Sequence, residues 1–152
     1  MGRGRWPRLH VEKLFDEYLT PLCTPQLLAR HGALAAPGST SDYPLLHSSS
    51  EPWDLWTEGG HYDNDRWPAR GAAFDDSVAI LTAAAHGQGL VLSRWSLAHP
   101  FLASGQLVRA SGSAISYGLG CYFVCPPAYL EMQKVQAFRQ WLVRQAAAMP
   151  LP

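Results

Sequence analysis

Gly71-Ala-Ala-Phe74-Asp75-Asp76-Ser77-Val78-Ala-Ile80-Leu81-Thr-Ala-Ala84-Ala85-His86-Gly87-Gln-Gly89-Leu90-Val91-Leu92-Ser93 is the stretch from which the fold can be read. Ala72 to Phe74 is short and apolar. Asp75, Asp76 and Ser77 then offer side-chain oxygens that can cap the free N–H groups of a new helix. Val78, Leu81 and Ala85 recur at helical spacing, with Ile80 and Ala84 widening that face. Gly87 and Gly89 stop the helix where a left-handed backbone is cheap. Leu90 to Leu92 has the composition of a buried strand. A strand, a helix and a strand with two-residue joins form a βαβ unit and predict a parallel sheet. Ligands of such sheets collect at the carboxyl ends of the strands, beside helix N-termini. That puts Asp75, Asp76, Ser77 and Ser93 at the mouth of any pocket. A plain capping role for Asp76 or Ser77 competes with this.

The 152 residues suit one domain or two small lobes, and 47% hydrophobic content suffices for a core. Twelve basic and twelve acidic side chains cancel, so no whole-chain field draws the protein towards nucleic acid. Arg3, Arg5 and Arg8 form the only basic cluster and read as a solvated terminal loop. No helix-turn-helix pattern occurs. No apolar run approaches eighteen residues, so no membrane span is expected. The start, Met1-Gly-Arg-Gly-Arg-Trp-Pro7, lacks the apolar core of a signal peptide. Cys23, Cys121 and Cys125 are odd in number and fit no disulfide framework. A reducing, cytoplasmic setting follows.

Before the central unit, Leu22-Cys23-Thr24-Pro25 reads as a strand ending at a turn, after Leu14-Phe15 and Tyr18-Leu19 flanking acidic residues. Thr24 is placed to cap a short helix from Pro25 to Arg30, with Pro25 at its first position. Gly32 to Ser41 is a loop rich in Gly, Pro and Ser. Leu45-Leu46-His47 is a brief strand leading into the helix-cap candidates Ser48 to Ser50. Trp53 to Trp56 continues as a helix fading at Gly59-Gly60, and His61 to Arg70 reads as an exposed connection. After the unit, Ser96 to Ala103 suits a helix ended by Ser104-Gly105, Leu107-Val108 a small strand, and Ser111 to Ser116 a loose turn. Tyr122 to Cys125 is β-prone and is ended by Pro126-Pro127. In the last helix Val135, Phe138, Leu142 and Ala146 line one face with Trp141 beside them, while Lys134, Arg139 and Arg144 fall mostly off it.

Chemistry-bearing side chains are present without a motif that joins them. Structural zinc needs pairs such as C-x2-C, whereas Cys121 and Cys125 are four apart on one face of a predicted strand. No metal is expected. A hydrolase would need a nucleophile, yet no G-x-S-x-G elbow occurs. Gly118-Leu-Gly120 lacks the third glycine of a dinucleotide loop, and there is no phosphate loop. No cofactor is expected. Tyr122 could turn its ring to core or cleft.

Taken together and in order, several pieces resemble one family. They are Trp6-Pro7-Arg8-Leu9, Leu22 to Leu28, Leu45-Leu46-His47, Phe74 to Ser77 and Gly87 to Leu90. Leu102 to Val108, Tyr122 to Pro127 and Lys134 to Leu142 complete the series. The chain resembles the effector-binding (substrate-binding) domain of LysR-type transcriptional regulators, in the subgroup of the glycine-cleavage activator and the β-lactamase regulators. The resemblance implies an α/β, periplasmic-binding-protein-like fold with one complete Rossmann-like lobe plus remnants of a second. On that basis residues 1–18 are a remnant of the first lobe and 19–24 a crossing strand. Residues 25–120 are the second lobe, 121–126 the return strand and 127–152 the C-terminal helix of the first lobe. The crossing strands pair in the family, which implies that Cys23 lies near Cys121 or Cys125.

The resemblance also implies a small effector between the lobes, a carboxylate or an amino acid, held by Thr24, Ser77, Ser93 and Tyr122, with His47 and Asp76 as second choices. Relative to the family pattern, the DNA-binding domain, linker helix and opening of the first lobe are missing, so an N-terminally truncated product is expected. The expected function is effector sensing without catalysis and without direct nucleic-acid contact from this chain; the intact family binds DNA and is homo-oligomeric. A stand-alone solute-binding module of the same fold is the alternative, and a small Ser/His hydrolase using Ser77 or His47 a third.

Overall fold

The computed structural model describes residues 1–35, 42–56 and 71–152. In chain order the elements are β1 (His10–Cys23), α1 (Pro25–His31), β2 (His47–Ser48), β3 (Ala73–Phe74), α2 (Ser77–Ala85), β4 (Val91–Arg94), α3 (Trp95–Ala103), β5 (Val108–Arg109), β6 (Ile115–Cys125) and α4 (Gln133–Ala148). Single 3-10 turns lie at Trp53–Trp56 and Pro127–Tyr129. Tyr18–Ile115 forms one compact unit; Met1–Glu17 with Ser116–Pro152 forms another. The expected fading at Gly59-Gly60 and the connection from His61 to Arg70 lie outside the described residues, as does most of the Gly32 to Ser41 loop.

In the unit Tyr18–Ile115, β2 and β3 run parallel, with His47 opposite Ala73 and Ser48 opposite Phe74. Leu45, just before β2, bridges Leu90 in parallel, just before β4. β4 runs antiparallel to β1, pairing Leu19 with Arg94 and Leu22 with Val91. β5 flanks β1 on the other side, also antiparallel. The central strand–helix–strand unit therefore forms, but its two strands are not neighbours. The β2 segment lies between them, so the α2 crossover passes over one strand.

Asp76 caps α2, its carboxylate accepting from the amides of Val78 and Ala79. The buried face of the helix is Ile80, Leu81, Ala83 and Ala84, packed with Leu22, Leu46, Val91, Ala98 and Leu107. Val78 is 53% exposed and does not join it. At about 100° per residue, Val78 stands nearly opposite the mean direction of those four positions. The helix ends at Ala85, and Gly87 takes φ +77°, as a left-handed terminator should. Gly89 serves a different need. A Cβ there would stand 2.5 Å from the Pro44 carbonyl oxygen, which accepts from the Leu90 amide at 2.8 Å. Its role is close backbone approach at the β2–β4 junction.

In the other unit, β6 pairs with β1 and Gly2 bridges Gly120. Trp6 packs edge-on against Tyr122 with ring centroids 5.4 Å apart. Arg139 of α4 makes a bidentate ion pair with Glu12 of β1. Four residues after Val135, Arg139 shares that residue's stripe, which corrects the expectation that it points away from the apolar face. Val135, Leu142 and Ala146 are half-buried, whereas Phe138 and Trp141 stack on each other while about half exposed.

Candidate functional site

Parallel pairing sets the carboxyl ends of β2 and β3 side by side, and a depression of about 580 Å3 opens there, lined by His47, Ser48, Ser49, Ala73, Phe74 and Asp75. A second hollow of about 280 Å3 shares His47 and Ser48 and is completed by Pro52, Trp53 and Asp54. His47 stands at both. Its Nε2 is buried and has no hydrogen-bond partner among the described residues. Gly71 leaves the room this ring needs: a Cβ there would lie 3.0–3.1 Å from the imidazole and 2.2 Å from the Leu45 carbonyl oxygen.

Behind this wall lies a buried polar cluster. Glu51, 1% exposed, pairs with the Arg94 guanidinium at 2.7 Å. Ser48 Oγ donates to Glu51 Oε2 at 2.7 Å and accepts from the amides of Ser50 and Glu51 at 3.1 Å each. Ser77 Oγ donates to the same carboxylate, 3.0 and 3.1 Å from its two oxygens, and accepts from Arg94 Nη2 at 2.9 Å. Trp53 is anchored beside them, its Nε1 donating to the Leu46 carbonyl at 2.9 Å. A buried carboxylate needs a counter-charge and further donors, and here it has both.

The residues singled out in the sequence separate into groups. His47, Asp76 and Ser77 gather where β2 and β3 end and α2 begins. Asp76 is taken up largely as a cap. Thr24 caps α1, accepting from the Leu27 amide at 3.3 Å, and faces a shallow hollow with Arg30 and His86. His86 follows the last residue of α2, so Thr24 lies at the opposite end of that helix from Ser77, a length of about 13 Å for its turns. Ser93 is fully buried, its Oγ without a partner among the described residues, and alternation along β4 turns it away from the face reached by Arg94. Tyr122, in the other unit, is half-buried against Trp6 and fits closely over Gly4, where a Cβ would stand 3.0 Å from the phenol ring.

Glu51 and Arg94 were not singled out in the sequence. A local signal for Glu51 exists: Ser48-x-x-Glu51 has the form of a capping box, and Ser48 does cap the turn, while the Glu51 carboxylate takes the Ser48 hydroxyl proton instead of a backbone N–H. Nothing local marks Arg94, which is recruited across 43 positions by the parallel topology. Elsewhere in the same unit, burial pushes the Cys23 thiol up, and the neighbouring Tyr43 phenol is pushed up to about 12 by burial and by Cys23. Among the described residues no three His, Cys, Asp or Glu side chains stand close enough to hold a metal ion. Among them too, no helix is long and apolar enough to cross a membrane.

Comparison with known proteins bears on this geometry. The family model described as the LysR substrate binding domain matches residues 1–147. The glycine cleavage system transcriptional activator of Escherichia coli K12 is 37% identical over 150 residues, 97% of this chain and 48% of the relative. The HTH-type transcriptional activator AmpR of Citrobacter koseri is 33% identical over 147 residues, 95% of this chain and 49% of the relative. The solved effector domain of the transcriptional regulator AmpR of Pseudomonas aeruginosa is similar with a TM-score of 0.69 at 30% identity, covering 96% of this chain and 69% of that one. This chain spans about half the length of the curated relatives it matches. The α/β architecture is that of periplasmic-binding-protein-like effector domains, and a match over nearly every residue settles the assignment: the chain belongs to the LysR substrate-binding domain family.

Proposed function

We infer that this chain is the effector-sensing part of a LysR-type transcriptional regulator, acting in the cytoplasm and without catalysis. The observation that carries this reading is the depression at the carboxyl ends of β2 and β3, lined by His47, whose Nε2 has no hydrogen-bond partner among the described residues, and by Ser48, whose hydroxyl is held by the Arg94-paired Glu51 carboxylate. A depression with a polar group at its edge and a hydrogen-bonded rear wall suits recognition of a small molecule. No nucleophile–base pair is needed for it. The kinship with proteins named transcriptional activators supports the regulatory role.

The ligand is a small metabolite, a carboxylate or an amino acid. His47, Ser77 and Asp76 form the contact set, and Tyr122 is retained on the family resemblance. Thr24 and Ser93 are not, because one lies at the far end of α2 and the other on the opposite face of β4. In the whole regulator, effector binding shifts the equilibrium between arrangements of the sensing domains and so of the DNA-binding domains of a homo-oligomer. Balanced charge along this chain supports a role without direct nucleic-acid contact.

Titration calorimetry against a panel of amino and dicarboxylic acids tests the site. Binding is expected to weaken about tenfold or more in His47→Ala and Ser77→Ala, the loss of one hydrogen bond to a charged group. Tight binding that neither substitution changes would overturn the reading.

A further inference from the structure

We propose that the hollow between α1 and the end of α2 is a second ligand site of the Tyr18–Ile115 unit, and that it takes a tetrahedral oxyanion, a phosphate group, free or carried by a small metabolite. It stands at the far end of α2 from Ser77 and needs nothing from the effector site proposed above.

The hollow has a volume of about 320 Å3, room for a compact ligand. Leu27 and Ala85 are the apolar part of its lining, and Thr24, Gln26, Arg30 and His86 supply the polar groups. Among the described residues no acidic side chain lines it, so every chargeable group there is basic. Arg30 is exposed in the last turn of α1 and ion-pairs with no described residue. A guanidinium can give two parallel N–H groups to one oxyanion. Thr24 is the buried member. It is 7% exposed, and its Oγ accepts from the Leu27 amide, which leaves the hydroxyl proton without an acceptor among the described residues. A buried donor left unmade is costly, and an anion in the hollow satisfies it.

His86 adds a condition. Its Nδ1 stands 2.8 Å from the Thr82 carbonyl oxygen, which can only accept, so Nδ1 carries a proton and Nε2 is the position left for a ligand. In the neutral ring that Nε2 is an acceptor and turns an anion away; in the protonated ring it donates to one. The carbonyls that end α2 are turned to their own hydrogen bonds: those of Thr82, Ala83 and Ala84 accept from the amides of His86, Gly87 and Gln88. Donors thus come from three places, just past β1, the last turn of α1 and the end of α2. Three sources match a phosphate group, which offers three acceptor oxygens, better than a carboxylate, which offers two.

Sulfate is the first probe, because its charge is constant between about pH 6 and pH 8, whereas histidine changes charge across that range. In an NMR titration of the full chain at constant ionic strength, sulfate should shift the His86 ring and Gly87 amide signals. It should bind about tenfold tighter at pH 6 than at pH 8, and His86→Gln should remove that difference. Arg30 is the only other charged side chain of the lining, and arginine keeps its charge at both pH values. Arg30→Gln should weaken sulfate about tenfold or more at either pH. Both substitutions are at exposed positions, so the fold should be kept. Inorganic phosphate and glycerol phosphate should each displace sulfate, the tighter of the two naming the source of the group, and acetate should not. Acetate that displaces sulfate equally well would overturn the choice of a tetrahedral anion. Sulfate affinity that neither substitution alters, or no saturable shift of these signals up to about 50 mM sulfate, would overturn the site.

Discussion

Glu51 holds the hydroxyls of Ser48 and Ser77 and the guanidinium of Arg94 with one carboxylate, and it does so out of water. Removing one partner of a buried pair leaves the other uncompensated, so Glu51→Ala should lower stability by about 3–5 kcal/mol in urea unfolding. Asp76→Ala removes only a cap on an exposed corner and should cost about 1 kcal/mol. Tyr43 carries a pH signature. Its phenol is held to about 12 against an ordinary 10.0, so the folded state keeps a proton that the unfolded state releases. The stability this contributes is complete below pH 10 and is lost as pH rises through the folded value. Ultraviolet titration should show one tyrosine ionising late, and Tyr43→Phe should abolish that step. The Asp76 and Thr24 caps were legible in the sequence because capping is settled within three residues. The Glu51–Arg94 pair was not, because its distance is set only when β2 and β4 come together.

At the scale of elements, the order of strands and helices could be read from composition, but the orientation of α2 could not. Nearly every position from Val78 to Ala85 is apolar, so no single stripe stands out, and packing chose Ile80 and Ala84 as its centre. Leu81→Ala should therefore cost about 2–5 kcal/mol, whereas Val78→Ala should change stability by about 0.5 kcal/mol or less, both measurable from denaturant midpoints. Gly89→Ala is expected to be destabilising by about 1–3 kcal/mol, because its new methyl meets a backbone oxygen that cannot withdraw without breaking the Leu90 hydrogen bond. β1 was underestimated. Its first half runs in charged and apolar pairs, Glu12-Lys13, Leu14-Phe15 and Asp16-Glu17, without the strict alternation of a strand and mostly half-buried, so only the buried end from Leu19 carries the apolar run that marks one.

For the molecule as a whole, acid stability has an identifiable contributor in Glu12. Its hydrogen bonds from Arg139 hold its carboxyl below the ordinary 4.5. The stabilisation is present above that value and is lost as pH falls through the lowered one. Glu12→Gln should flatten the acid limb of a stability–pH profile by lowering stability at neutral pH, by about 1 kcal/mol or less because the pair is partly solvated, while leaving it unchanged at the acid end. Family membership was legible from the order of many short pieces, none of which decides anything by itself. Which of those pieces would meet in space was not, and Thr24 illustrates it: it stands at the opposite end of α2 from Ser77.

The two compact units differ in how the chain supplies them. Tyr18–Ile115 is one unbroken stretch, while its companion is assembled from two separate stretches, Met1–Glu17 and Ser116–Pro152. On the ribosome, every residue of the first is made before the last strand–helix segment of the second exists. The Tyr18–Ile115 unit can thus acquire its structure co-translationally, whereas Met1–Glu17 must wait for Ser116–Pro152 to emerge.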